Sequence, residues 1–178
     1  MACGNYTLSG ISKTACESNV GGIKVVYIAL AEEVSAITFD SGTTMVTGIT
    51  MSGATKFKEY YFRKNTGSMT ATLNTSDEGA NYITTELSLR FSKMETAKRL
   101  EMRALTLADL VVIVKDCNDK YWLLGNPTNE EFVTASAGTG ETGQNRDDSN
   151  AYTLTLGCES AEFPFEVTKT AVEAVIPE

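Results

Sequence analysis

The segment YITTELSLRF, residues 82–91, carries the cleanest alternation of apolar and polar side chains in the sequence. Ile83, Thr85, Leu87, Leu89 and Phe91 share one side, and Tyr82, Thr84, Glu86, Ser88 and Arg90 share the other. Successive side chains of an extended chain point to opposite faces, so a period of two predicts a strand. One face meets a core, and the other stays wet or meets a partner. Such a strand needs neighbours, which makes layered β architecture the expectation.

Those neighbours are legible along the chain. Residues 23–29 and 36–39 are rich in β-branched and aromatic side chains, and Asp40, Ser41 and Gly42 form a turn after them. In residues 45–51, Met45, Thr47, Ile49 and Met51 are expected on one side, with Val46, Gly48 and Thr50 on the other. Residues 56–64 read as one arm of a long hairpin that turns at Asn65, Thr66 and Gly67 and returns through SMTATLN, residues 68–74. LVVIVKD, residues 110–116, reads as a buried strand, with a turn at Asp116–Asp119 and KYWLLGN as its hairpin partner. Trp122 in that partner is expected to pack into the core. A short strand over 131–136, an alternating one carrying Tyr152, Leu154 and Leu156, and an edge strand in FPFEVTK complete the set. Pro164 confines the last to an edge because it has no N–H for a ladder.

The period changes once. Ser92 and Glu95 have the spacing of a capping box, and Ala97, Leu100, Ala104 and Leu107 then recur at helical intervals. This predicts one helix over about 92–105, with Lys93, Lys98, Arg99, Glu101 and Arg103 on its solvated side. The fold class expected is mainly β: an antiparallel sandwich or partly closed barrel with one flanking helix. At 178 residues the chain fits one domain, 1–178, with long loops near 64–81 and 137–150.

Charge and composition narrow the function. The net charge of −8 opposes tight phosphate binding, which depends on Lys and Arg neutralising the backbone. There is no histidine, so the common catalytic triads and the commonest transition-metal ligand are missing. Cys3, Cys16, Cys117 and Cys158 are widely spaced and read as free thiols of a reducing compartment, with a bridge between Cys3 and Cys16 left open. MACGNYTLSG has neither the basic nor the apolar region of a secretory signal, so export by that route is not expected. No apolar run approaches the ~20 residues that span a bilayer.

Gly138, Gly140 and Gly143 spell G-x-G-x-x-G. A dinucleotide loop of that form must open directly into a helix, whose N-terminus holds the pyrophosphate. Here the polar QNRDDSN follows, and then the alternating AYTLTL, so an exposed hairpin or Ω-loop is expected. Asp116, Asn118 and Asp119 hint at a calcium loop, but Lys120 and Tyr121 occupy positions where that loop needs an oxygen donor and a glycine. Asp77, Glu78, Glu130 and Glu131 read as solvated turn charges. No cofactor, metal site or catalytic set is expected.

The order of these pieces resembles the tail tube and related tail ring proteins of tailed bacteriophages. The resemblance rests on GGIKVVYIA and VSAITFD, the long hairpin, the capped helix, the D-x-x-D-K-Y-W-L-L-G hairpin, the glycine- and threonine-rich loop, and the closing NAYTLTLGCESAEFPFEV. It implies a virion structural protein of the tail, made in the host bacterial cytoplasm and without enzymatic activity. Its copies, six or more, would form a homo-oligomeric ring whose sheets join edge to edge around a lumen. Its partners would be itself and other virion tail proteins, with DNA as transient non-specific cargo during ejection.

Two loops would then bridge subunits or successive rings. One carries Arg63, Lys64, Asn65 and Gly67, and the other Gly140, Glu141, Gln144, Arg146 and Asp147. The polar face of residues 82–91 would line the lumen or an interface. Other readings are a head-decoration or collar protein, a carbohydrate-binding β-module, and an enzyme working through carboxylates or lysine.

Overall fold

Five consecutive apolar residues, Leu110 to Val114, are all buried, so the strand that contains them needs cover on both faces. The computed structural model, which describes residues 10–11, 19–76 and 79–177, shows how it is covered. The strands are β1 (Ile23–Leu30), β2 (Val34–Phe39), β3 (Val46–Met51), β4 (Lys58–Tyr60), β5 (Ser68–Thr75) and β6 (Asn81–Ser92), followed by helix α1 (Thr96–Leu107). Then come β7 (Leu110–Asp116), β8 (Tyr121–Leu124), β9 (Val133–Glu141), β10 (Ala151–Ser160), β11 (Phe165–Val167) and helix α2 (Lys169–Val175).

β7 pairs with β1 along its length, with β8 over Val112–Lys115, and with β9 at Leu110. β4 lies outside β1. From β8 the sheet continues through β11 and β3 to β2, and from β9 it continues through β10 and β6 to β5. The strands thus form one mainly antiparallel sheet that divides at β7 into two wings and does not close into a barrel, consistent with a sandwich flanked by a helix.

Each face of the β1–β7 pair has its own core. Val25, Tyr27, Val111 and Ile113 pack with Val46, Phe57, Leu123 and the Ala171, Val172 and Val175 side of α2. Val26, Ile28, Val112 and Val114 pack on the opposite face with Leu87, Leu89, Phe91, Leu154, Leu156 and Leu105. Full burial of a side chain of this size contributes about 1.5–3 kcal/mol relative to exposure.

The alternation of residues 82–91 holds: Ile83, Thr85, Leu87, Leu89 and Phe91 are buried and the other side is not. The Asp116–Asp119 turn also forms, with Asp116 Oδ1 accepting from the N–H groups of Asn118 (2.8 Å) and Lys120 (2.9 Å). Trp122 is half-buried against the second core, its Nε1 donating to Asp116 Oδ2 at 3.1 Å.

Several expectations are corrected. The hairpin joining residues 56–64 to 68–74 does not exist, because β4 pairs with β1 while β5 pairs with β6 in unbroken register from Ser68↔Ser88 to Thr75↔Asn81. Phe57 is fully buried in the first core, and Phe62 folds over Gly67 so closely that a Cβ there would lie 2.6 Å from the ring. Anchored this way, the chain crosses to the other wing instead of turning back.

Ser92 does not cap a helix. It is still in the ladder, opposite Ala151, and Lys93 then takes a left-handed φ of 68° before α1 begins at Thr96. The apolar side expected to be buried, Ala97, Leu100, Ala104 and Leu107, is exposed, and Leu105 with half-buried Met102 faces the core instead.

In β3, a register shift opposite Thr38 and Phe39 breaks the expected alternation, so that Val46 and Ile49 are the buried residues. β11 is not an edge strand, since it lies between β8 and β3; Pro164 stands just before it and removes no ladder donor. The strand expected at 131–136 extends as β9 through Glu141, into the glycine-rich stretch. A second helix, α2, is present, its first turn capped by Thr168 Oγ1 accepting from the Ala171 N–H at 3.4 Å.

Candidate interaction surface

The wing made of β5, β6, β10 and β9 has one apolar and one polar face. Cross-strand register places Ser68, Thr70, Thr72 and Asn74 of β5 opposite Ser88, Glu86, Thr84 and Tyr82 of β6. On the other side of β6, Arg90, Ser88, Glu86 and Thr84 stand opposite Thr153, Thr155, Gly157 and Glu159 of β10, and Thr139 and Thr134 of β9 extend the rows. Short hydroxyl side chains dominate this face, tied locally by Asn74 Nδ2 to Thr84 Oγ1 (2.8 Å) and Ser136 Oγ to the Thr155 carbonyl (3.2 Å). Its charges are Glu86, Glu141 and Glu159 against Arg90, so it is net acidic.

Neither flank of this wing has a full-length ladder partner among the described residues, although β9 carries a register shift at Ser136 and has α1 beside it. Among the described residues β5 pairs with β6 alone over eight residues, with no proline, no charge and no bulge in the strand. β9 pairs on its outer side with β7 at Val133 only, which leaves that side of the strand without a further ladder partner among the described residues from Thr134 to Glu141. Unpaired N–H and C=O groups of this kind are templates for another strand, and proteins ordinarily block them with lysine, proline or a bulge.

The two loops expected to bridge copies lie at one end of the wing. Thr66 Oγ1 donates to the Arg63 carbonyl and also approaches the Arg90 carbonyl at 3.5 Å. The Arg90 side chain pairs with Glu141 at the end of β9. Arg90 therefore joins the two loop regions. Arg63, Lys64 and Asn65 are exposed in a crossing segment, Asn65 with φ of 63°, while Gly67 is packed under Phe62. Gly140 is fixed by close neighbours: a Cβ there would lie 3.0 Å from the Tyr152 ring and 3.1 Å from Met94.

The tip of the β9–β10 hairpin is internally tied. Asp148 Oδ2 accepts from the Gln144 and Asn145 N–H groups, both at 2.7 Å, and these bonds lower its pKa. Arg146 and Asp147 project into solvent. Gly143, at φ of 72°, supplies the left-handed turn. At the base, the Asn150 carbonyl accepts from the Lys93 N–H (2.7 Å) and its Oδ1 from the Met94 N–H (2.8 Å), fastening the hairpin to the lead-in of α1. Asn150 gave no signal in the sequence, because its part depends on a partner 56 residues away.

Among the described residues no three Cys, Asp or Glu side chains cluster to hold a metal. Cys117 and Cys158 are free, and burial pushes the Cys158 thiol up to about 11. Cys3 and Cys16, and with them the bridge left open between them, lie outside the described residues, as do Asp77 and Glu78. Among those residues no helix is long and apolar enough to cross a membrane, which says nothing of strands. No protein-family model matches the chain, and no curated protein or solved structure matches it.

Proposed function

We propose that the chain is a structural subunit of a bacteriophage tail, assembling into rings that form a tube or conduit for DNA. The observation that carries this reading is the β5–β6–β10–β9 wing: four antiparallel strands, a hydroxyl-rich face and two flanks without a full-length ladder partner among the described residues. Strand direction alternates across these four strands, so β5 and β9 run oppositely. When copies sit side by side in one orientation, β5 of one meets β9 of the next antiparallel, and the ladder continues through the joint. Repetition about an axis closes the wings into a barrel and pairs the flanks of the wing.

Six copies would set four strands each around the axis, a circle about 37 Å in diameter at ~4.8 Å per strand before tilt. The polar faces line its inside, and their excess of glutamate repels the phosphate backbone, so DNA passes without being held. In this arrangement the ends carrying Arg63–Gly67 and Glu141–Asp147 face the next ring or another tail protein. The chemistry is mechanical, with no catalytic residue and no cofactor.

Mass photometry across concentration, followed by negative-stain imaging, tests the reading. Rings or tubes of six or more copies are expected. Placing Thr70→Lys and Thr72→Lys on the β5 flank should abolish them while leaving the circular dichroism spectrum intact. A monomer or trimer that never forms rings, even with sibling virion proteins, sinks the proposal, and one with affinity for glycans favours a carbohydrate-binding module instead.

A further inference from the structure

Helix α1 has two apolar sides and the fold uses one. Leu105 and Met102 face the second core. On the opposite side Ala97, Leu100, Ala104 and Leu107 recur at intervals of three, four and three, which aligns them in one stripe. Leu100 is 53% and Leu107 77% exposed. The two alanines leave room for close approach by whatever covers the leucines. Arg103 borders the stripe with Arg99 one turn before it, neither in an ion pair among the described residues, and Glu101 on the other border accepts from the Tyr60 hydroxyl. In a chain of net charge −8, this is a basic, apolar ridge.

The complementary surface is on the same chain. Just past the end of α1, Leu30, Ala31, Ala108, Pro127 and Phe132 line a groove of about 510 Å³, with Glu32 and Asp109 on it. Neither carboxylate has a lysine or arginine partner among the described residues. Leu30 is itself exposed at the rim.

We propose that this ridge and groove form a second self-association surface, in which the Leu100 and Leu107 ridge of one copy seats in the Leu30, Phe132 groove of another, with Arg99 and Arg103 against Glu32 and Asp109. The groove begins where the helix ends, so one contiguous patch carries both halves. Two copies can exchange them reciprocally about a twofold axis, which the side-by-side joining of β5 to β9 does not use. The contact stands apart from the tail reading, and each can fail alone.

The test is the dimer constant by sedimentation velocity, measured in the Thr70→Lys, Thr72→Lys background so that strand pairing between copies is removed. A dimer is expected there. Leu107→Ser should weaken it about tenfold to a hundredfold, the equivalent of losing one buried leucine. Arg103→Glu should weaken it as well, and adding Glu32→Arg to the same chain should restore it. All three altered side chains are exposed, so a circular dichroism spectrum unchanged from the parent confirms the fold. A strictly monomeric parent at the highest soluble concentration, a Leu107→Ser dimer of unchanged affinity, or no recovery in the charge swap overturns the inference. Rings that form in the original chain carrying Leu107→Ser leave the tail proposal intact.

Discussion

The β1–β7 pair and the β5–β6–β10–β9 wing are built from the same backbone ladder but to opposite specifications. β1 and β7 are buried on both faces, and their sequence is nearly uniform in apolar content. The wing is buried on one face and presents serine and threonine on the other. The difference separates what holds the molecule together from what it exposes to its surroundings. Substitutions should follow that division.

The largest effect is expected at the pair. Ile113 is completely buried, and Ile113→Ala should cost about 2–5 kcal/mol by chemical denaturation, because little around it can collapse into the space. Thr155→Ala, on the polar face of the wing, should change stability by less than about 0.5 kcal/mol. Equal losses at the two sites would erase the distinction.

A smaller loss, about 1–3 kcal/mol, is expected from Gly125→Ala at the close of the β7–β8 hairpin. The residue has φ of 85°, and a Cβ would stand 3.1 Å from the Leu110 carbonyl oxygen. The same exchange at Gly157, where a Cβ meets only Ser136 at 3.6 Å, should be milder.

On the apolar face of the wing Thr85 is a buried polar residue, 1% exposed with an Oγ1 that has no hydrogen-bond partner among the described residues. Thr85→Val keeps the shape and removes the unpaired hydroxyl, so thermal unfolding should occur at the same or a slightly higher temperature, by about 1 kcal/mol at most. A clear drop would show that the hydroxyl is bonded.

The smallest effect concerns pH at the hairpin tip. Hydrogen bonds to the Asp148 carboxylate lower its folded pKa, so its contribution is complete above the unfolded value and fades as pH falls through the folded one. After correction for intrinsic rates, the Gln144 and Asn145 amides should lose exchange protection over that acid interval. Asp148→Asn should already show the loss at neutral pH.

Legibility in the sequence followed the same division. The alternation of residues 82–91 and the apolar run of β7 could be read because each strand's burial is written in its own side chains. The partner of residues 56–64 could not. Whether they pair with β5 or β1 is decided by where Phe57 and Phe62 anchor, and no local period records that. In α1 the spacing located an apolar stripe but could not say which of two apolar sides meets the core. α2 escaped notice because KTAVEAV is short and its burial of Val172 and Val175 depends on β3 and β1. The candidate surface was partly legible: its polar face was visible as alternation, and its open flanks emerged only from the strand order.

The division of the sheet at β7 also sets how the molecule comes apart. Either wing can loosen from its outer strand inward while the other stays ordered, but neither can be lost completely without breaking bonds to β7. Amides between Val111 and Val114 should therefore exchange with solvent only when the whole chain opens, and those of β2 and β5 by local fraying long before. A chain of this design can open at its rims and recover, because the strand from which both wings grow has not moved.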